Sequence, residues 1–225
     1  MVTKSKRYTK ASELVDRNKV YEAFELIKKL PAAKFDETVD VVLKLGVDPR
    51  KSDQLVRGAV SLPKGLGKSI KIAVFAEGDK AEAARAAGAD IVGAEDLAAK
   101  IEGGWMDFDV VITSPDMMKH VGKLGKVLGP QGKMPSPKSG TVTPDVAKAV
   151  TEFKAGKGEF RTDAGGHVHA PLRKRSFSAD DLLANYQAFL SHVESMRPPT
   201  VKGIFMRKVC VSTTMGPGLR VQYGA

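Results

Sequence analysis

The part of the sequence that indicates a chemical function most directly is a segment rich in lysine and glycine, which is suited to binding phosphate. Between Asp116 and Asp145 the chain has no carboxylate, and its lysines are separated by glycines, prolines and a few aliphatic residues. Glycine lets a backbone approach another surface closely, and neutralising phosphates with lysines releases counterions. A solvated basic loop is the alternative interpretation. The candidates for a secondary contact with a phosphate backbone are Lys123, Lys126, Lys133 and Lys138.

The charge of the whole chain has the same sign as this segment. The 225 residues carry a formal net charge of +10, which is typical of nucleic-acid binders. Membranes and acidic partners attract basic proteins as well, so charge alone does not identify the ligand. After Glu194 no acidic side chain follows, whereas five basic ones do: Arg197, Lys202, Arg207, Lys208 and Arg220.

Composition limits the class of protein. A hydrophobic content of 42% supports a folded core. The one cysteine, Cys210, excludes an internal disulfide and a multi-cysteine zinc site. No apolar run reaches the roughly 18 residues of a membrane helix, and residues 1–8 lack the apolar core of a secretion signal. We therefore expect a reducing, cytoplasmic location without a membrane partner, and a mobile basic N-terminal arm.

The candidate motifs for nucleotide or metal binding lack the residue spacing that such sites require. Gly67-Lys68-Ser69 resembles the end of a phosphate loop, but position 62 is leucine and a strand, rather than a helix, should follow. The later sequence 77–79 lacks the glycine triplet of a dinucleotide site. His167 and His169 share a strand face with no third ligand nearby, which favours a polar hairpin or a nucleic-acid contact over zinc.

The sequence contains no recognisable catalytic constellation. The carboxylate pairs at 36–37 and 180–181 stand at a strand entry and a helix start, where capping explains them. No serine or cysteine lies in a recognisable nucleophile motif. We expect neither enzymatic activity nor a cofactor.

The hydrophobic pattern divides the chain into three stretches. The first predicts a helix over 16–30 and strands over 39–47 and 54–62. The middle alternates strands (70–76, 91–92, 108–113) with helices (79–88, 95–101, 115–128, 143–153), with Asp79 and Glu82 forming a capping box, which indicates a parallel sheet covered on both faces. The last predicts a hairpin over 159–170, a helix over 178–196 capped by Ser178, and strands over 204–213 and 219–222.

These stretches predict an α/β fold in two domains. An α+β outer domain is formed by residues 1–66 and 158–225, and residues 67–157 form an inserted, three-layer, Rossmann-like α/β domain. Two glycine- and lysine-containing linkers, at 65–68 and 156–158, provide a double hinge.

Two sites could recognise a nucleic acid. Phe35 follows Lys34, and an aromatic beside a cation can stack on a base, although Phe35 could equally pack in the core. The sequence 215–218 forms a corner poor in side chains, whose backbone donors could reach RNA; a plain β-turn is the alternative.

Several strings together resemble one family, bacterial ribosomal protein L-one of the mobile side stalk of the large ribosomal subunit. The matching strings span the chain: KFDETV (34–39), RGAVSLP (57–63), DVVITSPDMM (109–118), LGKVLGP (124–130), GTVTP (140–144) and STTMGP (212–217).

The resemblance implies a split β-α-β RNA-binding domain with an inserted domain. It implies binding of large-subunit ribosomal RNA among other ribosomal proteins, assistance in releasing deacylated tRNA from the exit site, and repression of translation of its own operon mRNA. The residues that match RNA-binding positions are Lys34, Phe35, Glu37, Arg161, Asp163, His167, Ser212, Thr214, Met215 and Gly216.

The sequence departs from the family pattern at two places. Lys133 and Ser136 stand where leucine and asparagine are usual, and residues 172–175 are more basic than the usual glycine-containing turn. These departures could strengthen phosphate contacts. A nucleotide-dependent enzyme and a nonspecific DNA-compaction protein are the competing hypotheses.

Overall fold

The computed structural model describes residues 5–16, 19–65, 67 and 69–223. The chain divides into two compact units: unit 1, within Met1–Gly67 and Gly158–Ala225, and unit 2, within Lys68–Lys157. Helices and strands occur in both, which confirms the predicted mixed α/β class. None of the helices in the described ranges combines the length and the apolarity needed to cross a membrane.

Unit 1 is built on a five-stranded sheet. Its spatial order is β1 (Val20–Tyr21), β10 (Leu219–Val221), β9 (Met206–Thr213), β2 (Thr38–Leu45) and β8 (His167–Lys174). Strand β2 is antiparallel to both of its neighbours, β9 and β8, while β1 and β10 are parallel. Alternate β2 residues from Val39 to Leu45 are buried, because successive strand side chains point to opposite faces. A second, two-stranded sheet pairs β3 (Arg57–Ser61) with β7 (Lys157–Arg161).

Helices pack on the buried face of this sheet. They are α1 (Lys6–Glu13), α2 (Ala23–Lys29) and α8 (Ala179–Ser195). The N-terminus of α8 is capped as predicted, since Ser178 Oγ accepts the backbone N–H of Asp181 at 3.1 Å. The buried stripe of α8 joins the alternate β2 side chains in one apolar core.

Unit 2 holds a three-stranded parallel sheet with β4 (Ile72–Phe75) between β5 (Ile91–Gly93) and β6 (Val110–Thr113). Successive β4 residues belong to two different apolar clusters, so both faces of the sheet are covered. The helices of unit 2 are α3 (Asp79–Ala86), α4 (Glu95–Glu102), α5 (Met118–Lys123), α6 (Gly125–Leu128) and α7 (Val146–Ala155), with short 3-10 turns at Pro115–Met117 and Pro137–Ser139.

Two helix predictions are wrong in their limits, and the expectation for the N-terminal arm also needs correction. The helix expected over 16–30 contains β1 and begins only at Ala23, and the helix expected over 115–128 is split among a 3-10 turn, α5 and α6. The expected mobile arm is helical where it is described: α1 starts after Ser5, whose side chain accepts the N–H of Tyr8. Residues 1–4 of that arm lie outside the described residues.

The predicted capping box is also wrong, and the predicted hairpin forms only at its turn. Asp79 is the first residue of α3 rather than its cap, and Gly78 at the cap position makes no side-chain bond. The turn at 163–166 forms, but β7 pairs with β3 and β8 with β2. The two flanking strands share only the bridge between Thr162 and Val168 among the described residues, because each finds a longer partner elsewhere.

Candidate nucleic-acid interface

Two exposed apolar side chains stand at one end of the unit 1 sheet, next to the start of β2 and the end of β9. Phe35 is 54% exposed and Met215 is 50% exposed, so the interpretation of Phe35 as a core residue is wrong. Thr214 ties the two strand ends together. Its backbone N–H donates to Thr38 O at 3.0 Å, and its hydroxyl accepts the N–H of Thr38 at 2.9 Å. We call this end of the sheet the Phe35–Met215 corner.

The turn that presents Met215 requires glycine at the next position. The N–H of Gly216 donates to Thr213 O at 3.1 Å and closes a tight turn. A Cβ at Gly216 would lie 2.3 Å from Thr213 Oγ1, a distance that real Cβ atoms do not show. Any side chain at Gly216 would therefore displace the Thr213 side chain or the turn.

A buried carboxylate anchors the corner from beneath. Glu37 is 1% exposed, and its two oxygens lie 3.3 Å from Arg7 Nη1 and 3.4 Å from Arg175 Nη1. Arg7 also donates to the carbonyl of Met215 at 3.1 Å. The capping interpretation of Glu37 is wrong, and its burial assigns it to positioning the corner rather than to the surface where RNA would lie.

The basic run 172–175 is largely engaged inside unit 1. The Arg175 backbone N–H donates to Glu37 O at 2.7 Å, and its side chain donates to the carbonyls of Lys28 and Leu30. Arg173 stacks over Phe177 and pairs with Asp181 at 3.8 Å. These cations hold the fold together, whereas Lys34 is exposed beside Phe35.

A second group of predicted residues lies at the opposite end of β8. Asp163 Oδ1 accepts the N–H groups of Gly165 at 2.8 Å and His167 at 2.7 Å, and Asp163 Oδ2 lies 3.3 Å from His169 Nε2. The N–H of His167, assisted by that of Gly165, lowers the pKa of Asp163 to about 2. Asp163 therefore orders the turn, while Arg161 is exposed on β7. In the described ranges no three ligating side chains form a metal site.

The structure does not bring the two groups into one cluster. Thr38 pairs with Lys174, and Lys44, six residues along β2, pairs with His167. The two ends are thus about 20 Å apart at a strand rise of roughly 3.4 Å per residue.

The outward face of the sheet connects these two ends. Cross-strand partners point to the same face, which places Ser212 opposite Asp40 and Lys208 opposite Lys44. Burial raises the pKa of the Asp40 carboxyl on this face. We call this surface the open sheet face; its outward residues are Asp40, Val42, Lys44, His167, His169, Lys208, Cys210, Ser212 and Arg220.

Sequence reasoning missed several of these contributors. Lys44 stood in the predicted strand, and strict alternation could have placed it on the outward face. Arg7 and Arg175 could not be found in this way, because their partner Glu37 lies 30 and 138 residues away along the chain.

The four lysines of unit 2 that were predicted to form a secondary RNA contact loop differ in their exposure to solvent. Lys123, Lys126 and Lys138 are exposed. Lys133 is only partly exposed: its amino group donates to the carbonyls of Met106 and Phe108 and lies 4.8 Å from the ring centroid of Phe108. The expectation that Lys133 reaches RNA is therefore not supported, since its charge is used within unit 2.

The carboxyl ends of β4 and β5 border a cavity of about 420 Å³. Its lining includes four carboxylates and a single arginine: Glu77, Asp79, Glu82, Asp96 and Arg85. Nucleotides often bind at this edge of α/β sheets. Here the carboxylates would repel a phosphate, which argues against the nucleotide-dependent enzyme.

Fold and site together define a mixed α/β protein whose basic sheet face ends in an exposed aromatic and a glycine-restrained turn. Comparison with known proteins assigns it to a family. The profile described as "Ribosomal protein L1p/L10e family" matches residues 26–217, so the chain belongs to that family. It is also 51% identical over 226 residues to "Large ribosomal subunit protein uL1" of Kosmotoga olearia, covering 99% of this chain and 98% of that protein.

Proposed function

We propose that this protein is a non-catalytic constituent of the large ribosomal subunit of the cytoplasm that binds large-subunit ribosomal RNA through unit 1. The observation that carries the proposal is the exposed Phe35–Met215 corner, anchored by arginines at the end of a basic sheet face. Membership in the ribosomal protein L1p/L10e family, and a relative named as a large-subunit protein, support the choice of RNA.

The surface offers two kinds of contact. Exposed cations such as Lys34, Lys44 and Arg161 would neutralise phosphates and make affinity dependent on salt. Phe35 would stack on an unpaired base or ribose, and the Thr214–Gly216 turn would bring backbone groups close to the RNA. Phosphate contacts position the RNA, while the corner supplies the selectivity for its shape.

The two units act in this proposal as an outer domain (1–66 and 158–225) and an inserted domain (67–157), joined by hinges at 65–68 and 156–158. Residues 66 and 68 of the first linker lie outside the described residues. The linker is held on the unit 1 side, because Asn185 accepts the N–H of Lys64 at 3.0 Å and donates to Gly65 O at 3.1 Å.

Two finer functions stay predictions. Release of deacylated tRNA from the exit site would require movement between the domains. Repression of the protein's own operon mRNA would require that mRNA to compete with ribosomal RNA for the Phe35–Met215 corner.

The test is binding of the full chain to large-subunit ribosomal RNA fragments, competed with duplex DNA at physiological salt. We expect one protected fragment that DNA does not displace, and a loss of about 1–3 kcal/mol of binding free energy in Phe35→Ala. Leu183→Ala, which trims an exposed apolar residue on α8, is the matched control and should bind normally. Equal competition by DNA would favour the compaction protein, and unchanged affinity in Phe35→Ala would refute the role of the corner.

A further inference from the structure

Asn185 is a buried amide in the middle of α8. Its side chain is 0% exposed and lies among the helix residues that form the apolar core of unit 1. Asparagine is a weak helix former, and burying an amide costs free energy unless the amide is hydrogen-bonded. An apolar residue at this position would avoid both costs. The presence of asparagine therefore indicates a specific polar role.

The amide of Asn185 joins two segments that are distant in sequence. Its Nδ2 donates to the carbonyl of Leu172 on β8 at 3.0 Å and to that of Gly65 at 3.1 Å. Its Oδ1 accepts the backbone N–H of Lys64 at 3.0 Å. Both amide hydrogens are thus used, and the oxygen has a donor. Lys64 Nζ also lies 3.4 Å from Asp181 Oδ1, so the linker backbone that binds Asn185 is itself held to α8.

Leu172, the partner of Asn185 on β8, is the extra residue of a β-bulge. The pairing of β2 with β8 shifts by one residue between Val39 and Asp40, and Leu172 is the β8 residue that is skipped. A bulge bends its strand and shifts the pairing of the residues beyond it. The Leu172 side chain is fully buried and its carbonyl is bonded to Asn185. The bulge is therefore held by both its side chain and its backbone.

The bulge decides which basic residue meets Glu37. With the bulge in place, Arg175 donates its backbone N–H to Glu37 O at 2.7 Å. Without the extra residue, the register of the rest of β8 would place Lys174 opposite Glu37. Lysine presents a compact point charge, whereas the planar guanidinium of Arg175 binds the Glu37 carboxylate and two backbone carbonyls at the end of α2. The register set at Leu172 therefore selects the arginine that anchors the corner.

We propose that Asn185 is a positioning residue for RNA recognition. It holds the Leu172 bulge in the register that brings Arg175 to Glu37, and this ion pair fixes the Phe35–Met215 corner. Asn185 does not reach the RNA itself, because it is fully buried. Arg7 binds the other oxygen of Glu37 and a backbone carbonyl of the corner, which completes the chain of contacts. The inference rests on the proposed RNA-binding function and adds to it a residue away from the binding surface.

The test compares Asn185→Ala with Val193→Ala in the full chain. Both variants truncate a fully buried side chain of α8, and both should lower the midpoint of urea unfolding. Asn185→Ala should also weaken binding of the protected ribosomal RNA fragment about tenfold, because the buried carbonyl of Leu172 loses its donor. Val193→Ala should change this affinity by less than about twofold, since it is remote from the bulge along α8. Asn185→Ser, which keeps one hydroxyl donor, should fall between wild type and Asn185→Ala.

The RNA affinities distinguish this inference from the proposed function. Equal affinities of the two alanine variants, while wild type still binds the fragment, would overturn the role of Asn185 alone. Failure of wild type to bind the fragment would instead overturn the proposed function.

A double-mutant cycle with Glu37→Gln separates positioning from a general loss of stability. If Asn185 acts through the ion pair of Arg175 and Glu37, Asn185→Ala should weaken binding only about twofold further once residue 37 is glutamine. Independent, additive losses would mean that Asn185 supports the fold without positioning the corner, and would overturn the proposal.

Hydrogen exchange reports on the register itself. In Asn185→Ala the amide of Arg175, which donates to Glu37 O, should exchange about tenfold faster than in wild type. The amide of Leu182, which donates to Ser178 O near the start of α8, should change much less. An Arg175 amide that is protected equally in Asn185→Ala and Val193→Ala would overturn the role of Asn185 in holding the bulge.

Discussion

Replacing Glu37 by glutamine is the sharpest test of how the corner is held. The substitution keeps the shape of the side chain but removes the charge that pairs with Arg7 and Arg175. It also places an amide N–H₂ group where one of the two guanidinium groups now finds an oxygen. We expect unit 1 to lose stability and the Met215 turn to lose its anchor.

The magnitude follows from burial and distance. Removing one partner of a buried ion pair costs about 3–5 kcal/mol. Each guanidinium contacts Glu37 at 3.3–3.4 Å, longer than the best charge-assisted bonds, and each keeps bonds to backbone carbonyls. These features place the expected loss near the lower end, about 3 kcal/mol. At a typical urea dependence this loss shifts the midpoint of unfolding by about 1.5 M.

The distribution of aromatic residues allows the two units to be followed separately. All four tyrosines (Tyr8, Tyr21, Tyr186 and Tyr223) lie in unit 1, and the one tryptophan, Trp105, lies in unit 2. In Glu37→Gln the urea transition seen by tyrosine should move to lower denaturant, while that of Trp105 should move much less. Affinity for the ribosomal RNA fragment should fall as well, since Glu37 no longer fixes the position of the Arg7 guanidinium that binds the Met215 carbonyl.

Glu25→Gln is the matched control. Glu25 is 71% exposed and lies 4.0 Å from Lys29 on α2, so the same chemical change should cost less than about 0.5 kcal/mol. The reasoning would be refuted if both glutamine variants had the same stability, or if Glu37→Gln shifted the Trp105 transition as far as the tyrosine transition.

Two further substitutions test the turns at the opposite ends of the sheet. Gly216→Ala should lower the free energy of unfolding by about 1–3 kcal/mol and weaken RNA binding, because its Cβ would overlap Thr213 Oγ1. Adding Thr213→Ala should restore both the stability measured by urea unfolding and the affinity measured by RNA titration. A double variant without this rescue would contradict the clash. Asp163→Asn should be less stable than wild type above about pH 4, and this difference in stability should vanish as the pH falls toward 2. The reason is that folding favours the ionised form of Asp163 and lowers its pKa from 3.8 to about 2. Unfolding measured across this pH range would contradict that cause if the difference persisted at the acid end.

The local hydrophobic pattern of the sequence was sufficient to predict an element wherever one periodicity, that of a strand or that of a helix, dominated. Strict alternation from Val39 to Leu45 predicted β2 and its buried face, and the stripe of α8 with its Ser178 cap predicted that helix. Prediction failed where a partner distant in sequence decides the outcome. Val20 pairs with Arg220, which turns part of a helical pattern into β1, and pairing of β7 with β3 limits the predicted hairpin to its turn and one bridge. Main-chain hydrogen bonds to a neighbouring strand outweigh small differences in local propensity.

The sequence by itself determined the mixed α/β class, the basic character of the protein and the resemblance to its family, because these depend on composition, periodicity and short strings. It also indicated residues at both ends of the unit 1 sheet. Only the tertiary structure decided that they form two separate groups, that Glu37 is a buried anchor and that Lys133 is internally bound. The physical reason is that charge and aromatic type specify what a side chain can bind, whereas burial and neighbouring partners decide whether it is free to do so.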